Sequence, residues 1–160
     1  MDYDRHYLTS LFEPRSLAII GASETPRSIG NVVALNMQAA AFKNKLFYVN
    51  PAHSALFSAP SFKSVEDIPQ RIDLAIICTR SETVPDVVDA CGRAGCHAAV
   101  IISAGMNTTG SHTASERRAL ENAKRHGMRL LGPDSLGIVR PSSGLKESPS
   151  VIPYRVYPGH

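Results

Sequence analysis

Five short apolar runs recur along the chain, at 17–20, 46–49, 74–78, 98–102 and 128–131, and stretches with apolar residues at helical spacing separate them. Continuous apolar character is typical of parallel strands that helices cover on both faces, whereas strands with one wet face alternate. The pattern therefore predicts a single α/β domain with a Rossmann-like, doubly wound parallel sheet of about five strands.

Helices are predicted between these runs. Ser28 is expected to cap the first helix, which begins at Ile29. Thr83, followed three residues later by Asp86, predicts a capping box for a second helix. Another helix is predicted over 115–126.

Some segments lack a clear period. Residues 51–63 receive no assignment, and 64–68 can form no more than a short helix. Prolines interrupt the tail beyond Gly137. Residues 1–140 are therefore predicted to form the domain, and 141–160 a linker or the start of a following domain.

Composition narrows the function. Seventeen lysines and arginines against 14 acidic residues give a formal charge of +3, too small and too scattered to indicate a nucleic-acid partner. No apolar stretch is long enough for a signal or a membrane span, so a cytoplasmic protein with no membrane partner is expected. The three cysteines, Cys78, Cys91 and Cys96, lack metal-site spacing and are predicted to be reduced, buried thiols.

The loop after the first strand carries the clearest functional signal, because ligands of doubly wound sheets lie beyond the carboxyl ends of the strands. Gly21 and Gly30 permit a close backbone approach, and the helix N terminus after Ser28 can face an anion. Arg27 supplies a cation for a phosphate, and the hydroxyls of Ser23 and Ser28 can donate hydrogen bonds. The same residues also fit a plain strand-to-helix turn with a capping serine.

The second strand runs into Asn50 and Pro51, with His53 beyond them. A typical NAD site has an acidic residue here, which binds the ribose hydroxyls. The lack of an acid, and a histidine at position 53 that can take up a positive charge, favour a phosphorylated ribose, such as the one that carries the 3′-phosphate of coenzyme A. An ordinary exposed loop histidine also explains His53.

Small and polar residues after the other strands would let a long, thin, anionic ligand pass close to the backbone. They are Thr79, Arg80, Ser81 and Val84 after the third strand, Ser103, Ala104 and Gly105 after the fourth, and Pro133 and Asp134 after the fifth. Together with these, the predicted ligand site comprises Gly21, Ala22, Ser23, Arg27, Ser28, Ile29, Gly30, Asn50, Pro51 and His53. No histidine or serine has partners in a catalytic pattern, so the chain by itself is predicted to be non-catalytic and to hold no metal.

Short motifs follow one another in a fixed order between residues 8 and 146: LFEPRS at 11–16, IGAS at 20–23, SIG at 28–30, VNP at 49–51, DLA at 73–75, ISAG at 102–105 and LGP at 131–133. In this order they resemble the coenzyme A-binding domain at the N terminus of NDP-forming acyl-CoA synthetases, which are related to the succinyl-CoA synthetase alpha subunit. The same domain begins the bacterial protein lysine acetyltransferases that carry a GNAT domain. The stretches 78–79, 95–96 and 129–137 resemble that branch in particular.

The resemblance implies a division of the site. The 21–30 loop would hold the diphosphate, the region after Pro51 would meet the adenosine 3′-phosphate, and the loops at Thr79 and Ser103 would follow the pantetheine arm. Coenzyme A or acetyl-CoA is the implied ligand. Other domains or subunits of the synthetase or acetyltransferase are the implied partners, and in the synthetases a later domain carries the histidine that relays phosphate.

Three positions depart from the family pattern. Asp134 stands where asparagine is usual, residues 107–108 where many members have a glutamate, and residues 52–53 where a lysine or arginine is common. Two other functions therefore stay open beside a coenzyme A-binding module: an NAD(P)-binding domain of an oxidoreductase, and a non-catalytic regulatory domain that senses acyl-CoA. The first of these should show an acid or an arginine cluster after the second strand.

Overall fold

The computed structural model describes residues 8–39, 45–103, 106 and 113–135. Within them, one sheet contains β1 (Ser16–Ile20), β2 (Lys45–Val49), β3 (Ala55–Leu56), β4 (Ala59–Phe62), β5 (Leu74–Ile77), β6 (Ala98–Ile101) and β7 (Arg129–Leu131). The order across the sheet is β3-β4-β2-β1-β5-β6-β7, and all neighbours are parallel except β3 and β4. The doubly wound prediction is confirmed; the sheet has two more strands than the expected five, because β3 and β4 form a hairpin within the unassigned segment.

Four α-helices lie in the described residues: α1 (Thr9–Phe12), α2 (Ile29–Ala39), α3 (Val84–Arg93) and α4 (Ala114–Arg125). The last three confirm the predicted helices, whereas α1 was not predicted. Short 3-10 helices occupy Val65–Asp67 and Ser81–Thr83. The first of these is the short helix expected at 64–68.

The helix caps match the prediction at only one of two positions. Ser28 Oγ accepts a hydrogen bond from the N–H of Asn31 at 3.2 Å and so caps α2 as expected. The capping box predicted at Thr83 is wrong: its hydroxyl donates to the carbonyl of Arg80 at 2.8 Å. The chain enters α3 through a 3-10 turn, and that turn engages the hydroxyl before it can cap the helix.

Side chains of the central strands are buried on both faces of the sheet. In β1, Leu17 and Ile19 belong to the cluster that contains the buried residues of α2, whereas Ala18 and Ile20 belong to the cluster that contains those of α3 and α4. All four are at most 6% exposed. This burial on both faces explains why the runs are continuously apolar.

β1 is the point at which the order of the sheet reverses. From β1 the chain adds β2 and β4 on one side, and then β5, β6 and β7 on the other. In doubly wound folds, such a switch point opens a crevice at the carboxyl ends of the strands. The loops after β1, β2 and β5 therefore meet at the expected position of a ligand.

The cysteines are free thiols; Cys91 and Cys96 are buried as predicted, whereas Cys78 is half-buried. Cys96 donates its N–H to the carbonyl of Cys91 at 2.9 Å, around Gly95 at φ +78°, and this contact closes the C terminus of α3. In the part of the chain described, no helix has both the length and the apolarity to cross a bilayer.

Candidate functional site

The turn from β1 into α2 brings two glycines into contact. Gly21 has a φ of +87° and donates its N–H to the carbonyl of Val49 in β2 at 2.9 Å. A Cβ on Gly30 would lie 1.9 Å from the carbonyl oxygen of Gly21. The start of α2 therefore packs directly on the turn, which is possible only because residue 30 has no side chain.

The first turn of α2 is suited to an anion. The N–H groups of Ile29 and Gly30 have no acceptor among the described residues, as is usual at a helix N terminus. No acidic side chain lies in this turn. The partial positive charge of the helix end is therefore available to a phosphate.

The two serines of the β1–α2 loop (residues 21–28) differ in their freedom to donate. The Ser28 hydroxyl donates to the carbonyl of Thr25 at 2.9 Å, so its proton is already engaged. Ser23 Oγ only accepts, from the N–H of Thr25 at 3.0 Å, and its proton remains available. Both hydroxyls were predicted to donate to a phosphate, but only that of Ser23 still has a proton to donate.

Two asparagine side chains fix the backbone of this loop. Asn31 is 8% exposed and donates its side-chain amide to the carbonyl of Ser23 at 3.2 Å. Asn50 donates to the carbonyl of Ala22 at 2.8 Å and accepts from the N–H of Ala52 at 2.8 Å. Asn50 was predicted as a ligand contact, and its amide is instead engaged in holding the loop. Asn31 was missed by the sequence reasoning, although an asparagine among apolar helix positions was a visible signal.

Four basic side chains border the crevice. Arg27, at φ +67°, Arg80 and His53 are exposed, and none has a side-chain partner among the described residues. Lys63 was missed because β4 was not predicted. It directly follows β4, at the edge where the N–H of Asn50 bonds the carbonyl of Phe62 at 2.9 Å, and it is exposed. Lys63 therefore lies at the carboxyl edge of the sheet, next to the end of β2.

The end of β5 offers a buried polar atom. Thr79 Oγ1 is inaccessible to solvent and has no hydrogen-bond partner in the described part of the chain. Such an orphaned hydroxyl is unfavourable unless a ligand pairs with it. Arg80 and Ser81 follow as an extended residue and the start of the 3-10 turn, with Ser81 half-buried. This end of the crevice therefore fits a ligand with hydrogen-bonding groups.

Three predicted contacts lie too deep for their side chains to meet a ligand. Val84 and Ala22 are 0% exposed in the apolar core, and Ser103 is 1% exposed. The Ser103 hydroxyl donates to the carbonyl of Thr79 at 2.5 Å and so joins the ends of β5 and β6. At these three positions only the backbone can contribute to the site.

The loop after β7 closes against β6. A Cβ on Gly132, at φ +106°, would lie 2.3 Å from the carbonyl of Ile101. Asp134 donates its N–H to the carbonyl of Ser103 at 3.2 Å and is exposed, and Pro133 is half-buried. The remaining predicted contacts are Ile29 and Pro51, both exposed at the crevice, and Ala104 and Gly105, which lie outside the described residues.

Titratable clusters lie away from this crevice. His126 Nε2 donates to Asp89 at 2.9 Å, and this hydrogen bond is the main cause that holds the pKa of Asp89 below its ordinary value. Glu66 accepts from Arg93 at 3.0 Å, and its pKa is lowered for the same reason. His126 follows the C terminus of α4, and α4 returns the chain to the start of β7, so this pair lies at the opposite edge of the sheet. Within the described residues, no group of acids, histidines and cysteines could hold a metal ion.

Comparison with known proteins identifies the family to which the chain is similar. A family model described as a CoA binding domain matches residues 15–141. The chain is 37% identical over 153 residues to the ADP-forming acetate–CoA ligase II of Archaeoglobus fulgidus, covering 95% of the chain and 23% of the ligase. It is 34% identical over 139 residues to the alpha subunit of ADP-forming acetate–CoA ligase I of Pyrococcus furiosus, covering 82% of the chain and 30% of that subunit.

Solved structures agree with this match. The dinucleotide-forming acetyl-coenzyme A synthetase 1 of Candidatus Korarchaeum cryptofilum, in complex with phosphate and ADP, superimposes with a TM-score of 0.77 at 35% identity. The alignment covers 81% of the chain and 28% of the synthetase. The chain thus spans less than a third of each of these relatives.

Proposed function

The chain belongs to the family of CoA-binding domains, and from that premise we propose that it forms the coenzyme A site of an ADP-forming acyl-CoA synthetase. One observation carries the proposal: 95% of the chain aligns with an ADP-forming acetate–CoA ligase at 37% identity. The relatives reported above are ligases and synthetases, which favours a synthetase over an acetyltransferase as the parent protein. The family also favours coenzyme A over NAD(P) as the ligand.

The diphosphate of coenzyme A binds the β1–α2 loop in this proposal. Free N–H groups at Ile29 and Gly30, the available proton of Ser23 and the guanidinium of Arg27 supply the hydrogen bonds and the positive charge. The loops at Thr79 and Ser103 follow the pantetheine arm. The residues present therefore fit the ligand that the family implies.

The adenosine 3′-phosphate binds between His53 and Lys63. Both side chains are exposed at the carboxyl edge, beside the end of β2, where doubly wound folds bind the ribose. No carboxylate follows β2 directly, so the phosphate meets no repulsion from that position. Lys63 takes the place of the lysine or arginine that is common in the family after Pro51.

The module binds and presents the ligand, and the chemistry belongs to other parts of the parent protein. Coenzyme A supplies a thiol, or in acetyl-CoA a thioester, as the reacting group. The chain holds the nucleotide so that this end emerges past Thr79 and Asp134. Residues 1–140 form the binding domain in this proposal, and 141–160 are a linker or the start of a following domain.

Calorimetric titration of the 160-residue chain tests the proposal. Coenzyme A should bind more tightly than dephospho-coenzyme A, and NADP should bind weakly or not at all. Tight NADP binding without coenzyme A binding would overturn the proposed function. An equal affinity for coenzyme A and dephospho-coenzyme A would reject the proposed 3′-phosphate contacts but not the coenzyme A site itself.

Single variants locate those contacts. His53→Ala and Lys63→Ala should each weaken coenzyme A binding about threefold, as expected for exposed ion pairs, and leave dephospho-coenzyme A unaffected. Lys124→Ala, which removes an exposed lysine on α4, is the matched control and should change neither affinity. Equal losses for both ligands would mean that His53 and Lys63 do not read the 3′-phosphate.

A further inference from the structure

The β3–β4 hairpin (residues 55–62) stands beside the proposed adenosine end of the site. Its strands share two residue pairs, Ala55 with Pro60 and Leu56 with Ala59. The turn residues Phe57 and Ser58 have φ values of 52° and 60°, which L-amino acids rarely adopt. A hairpin so short, with a turn that lacks glycine, needs contacts outside itself to keep its position.

One such contact is apolar. The ring of Phe57 packs on the ring of Tyr48 in β2, with centroids 5.2 Å apart. The Tyr48 hydroxyl in turn accepts a hydrogen bond from Gln38 of α2 at 2.9 Å. The hairpin tip is thus held above β2 through its side chain, and this contact leaves the backbone N–H of Phe57 to find a partner elsewhere.

The second contact is polar and comes from the β1–α2 loop itself. Glu24 Oε1 accepts the backbone N–H of Phe57 at 3.0 Å. At the other end of the segment, Asn50 joins the same loop through the carbonyl of Ala22. The stretch that carries His53 is therefore tied to the loop on both sides.

Glu24 is an unexpected residue in a loop that binds a diphosphate, because its negative charge opposes the ligand. The hydrogen bond to Phe57 gives that carboxylate a separate role. We infer that Glu24 is a positioning residue, which fixes the hairpin against the β1–α2 loop and so keeps His53 and Lys63 in place for the adenosine 3′-phosphate. The inference rests on the proposed function, and it concerns only the adenosine end of the ligand.

Two substitutions separate this role from a charge effect. Glu24→Gln removes the charge but keeps an oxygen that can accept from Phe57, whereas Glu24→Ala removes both. Glu24→Ala should weaken the binding of coenzyme A and of adenosine 3′,5′-bisphosphate about fivefold, the net worth of one ordinary hydrogen bond. The affinity for 4′-phosphopantetheine should not fall, and Glu24→Gln should bind all three ligands at least as well as the wild type.

Amide hydrogen exchange provides a readout without ligand. The N–H of Phe57 should exchange faster in Glu24→Ala than in the wild type, and Glu24→Gln should restore most of the protection. Glu121→Ala, which removes an exposed acid on α4, is the matched control and should leave exchange at Phe57 unchanged.

The outcomes are distinct. If Glu24→Ala and Glu24→Gln both bind coenzyme A as tightly as the wild type or more tightly, Glu24 acts through its charge alone and the inference is wrong. A uniform loss over all three ligands would also overturn it, because the hairpin would then not be specific to the adenosine end. If the wild type binds none of the ligands, the proposed function falls and this inference falls with it.

Discussion

Substitution of Gly30 by alanine tests the packing at the centre of the site. The new Cβ would lie 1.9 Å from the carbonyl oxygen of Gly21, whereas ordinary contacts begin at 3.4 Å. The oxygen belongs to the backbone, and the backbone of residue 30 fixes the position of the Cβ, so no side-chain rotation can relieve the overlap. The N terminus of α2 must therefore move outward by about 1.5 Å to relieve the overlap.

The loss of stability follows from the buried side chains on α2. Val33, Ala34 and Met37 are each 0% exposed and pack on the sheet, so an outward shift loosens their contacts. Overpacking of this severity costs about 3 kcal/mol in the free energy of unfolding. In a domain of this size, that corresponds to a fall in Tm of roughly 6–12 °C.

Urea unfolding followed by circular dichroism measures the effect. Leu35→Ala is the control on the same helix, because Leu35 is 47% exposed, and its free energy of unfolding should change by less than about 0.5 kcal/mol. Coenzyme A binding by Gly30→Ala should also be lost, since the N–H groups of the first turn move. A Gly30→Ala chain within about 0.5 kcal/mol of the wild type would refute the packing argument.

Three further predictions concern stability and reactivity. Asn50→Ala should lower the free energy of unfolding by about 1.5 kcal/mol, because the carbonyl of Ala22 loses its partner, and unchanged urea unfolding would contradict this. The hydrogen bond with His126 lowers the pKa of Asp89 in the folded state, so the ionised carboxylate stabilises the fold above the pKa that it has in the unfolded chain. This stabilisation is lost below about pH 4, as the pH falls through the pKa of the folded state. Asp89→Asn should therefore show a smaller fall in Tm on acidification than the wild type, and an equal fall in both proteins would contradict this role of Asp89. Burial raises the pKa of the Cys78 thiol to about 12. A thiol reagent at pH 8 should therefore label Cys78 only after urea unfolding, because the thiolate is the reactive form. Rapid labelling of Cys78 in the folded protein would contradict this prediction.

The central strands could be predicted from the sequence because helices cover both faces of the sheet. Leu74–Ile77 and Ala98–Ile101 are each buried at all four positions, and a continuous apolar run is the direct consequence. The hairpin could not be predicted. Its strands have two and four residues, include Pro60 and have mixed burial, so they leave no period of two in the sequence.

The site was predictable as a set of loops, but the roles of individual side chains within it were not. Asn50 stands after β2 as expected, yet its amide is engaged by the carbonyl of Ala22, and the direction of a side chain cannot be deduced from its place in the sequence. Val84 was predicted beside the ligand and lies in the core, where it is 0% exposed at the first position of α3, directly after the 3-10 turn. Lys63 was missed for a topological reason: a residue after β4 comes next to Asn50 only because β4 pairs with β2.

A crystal structure of the chain with coenzyme A would locate the ligand directly. The diphosphate should lie at the first turn of α2, within hydrogen-bond distance of the N–H groups of Ile29 and Gly30. The 3′-phosphate should lie between His53 and Lys63. Coenzyme A bound at any other edge of the sheet, or with its diphosphate away from the β1–α2 loop, would overturn the proposed site.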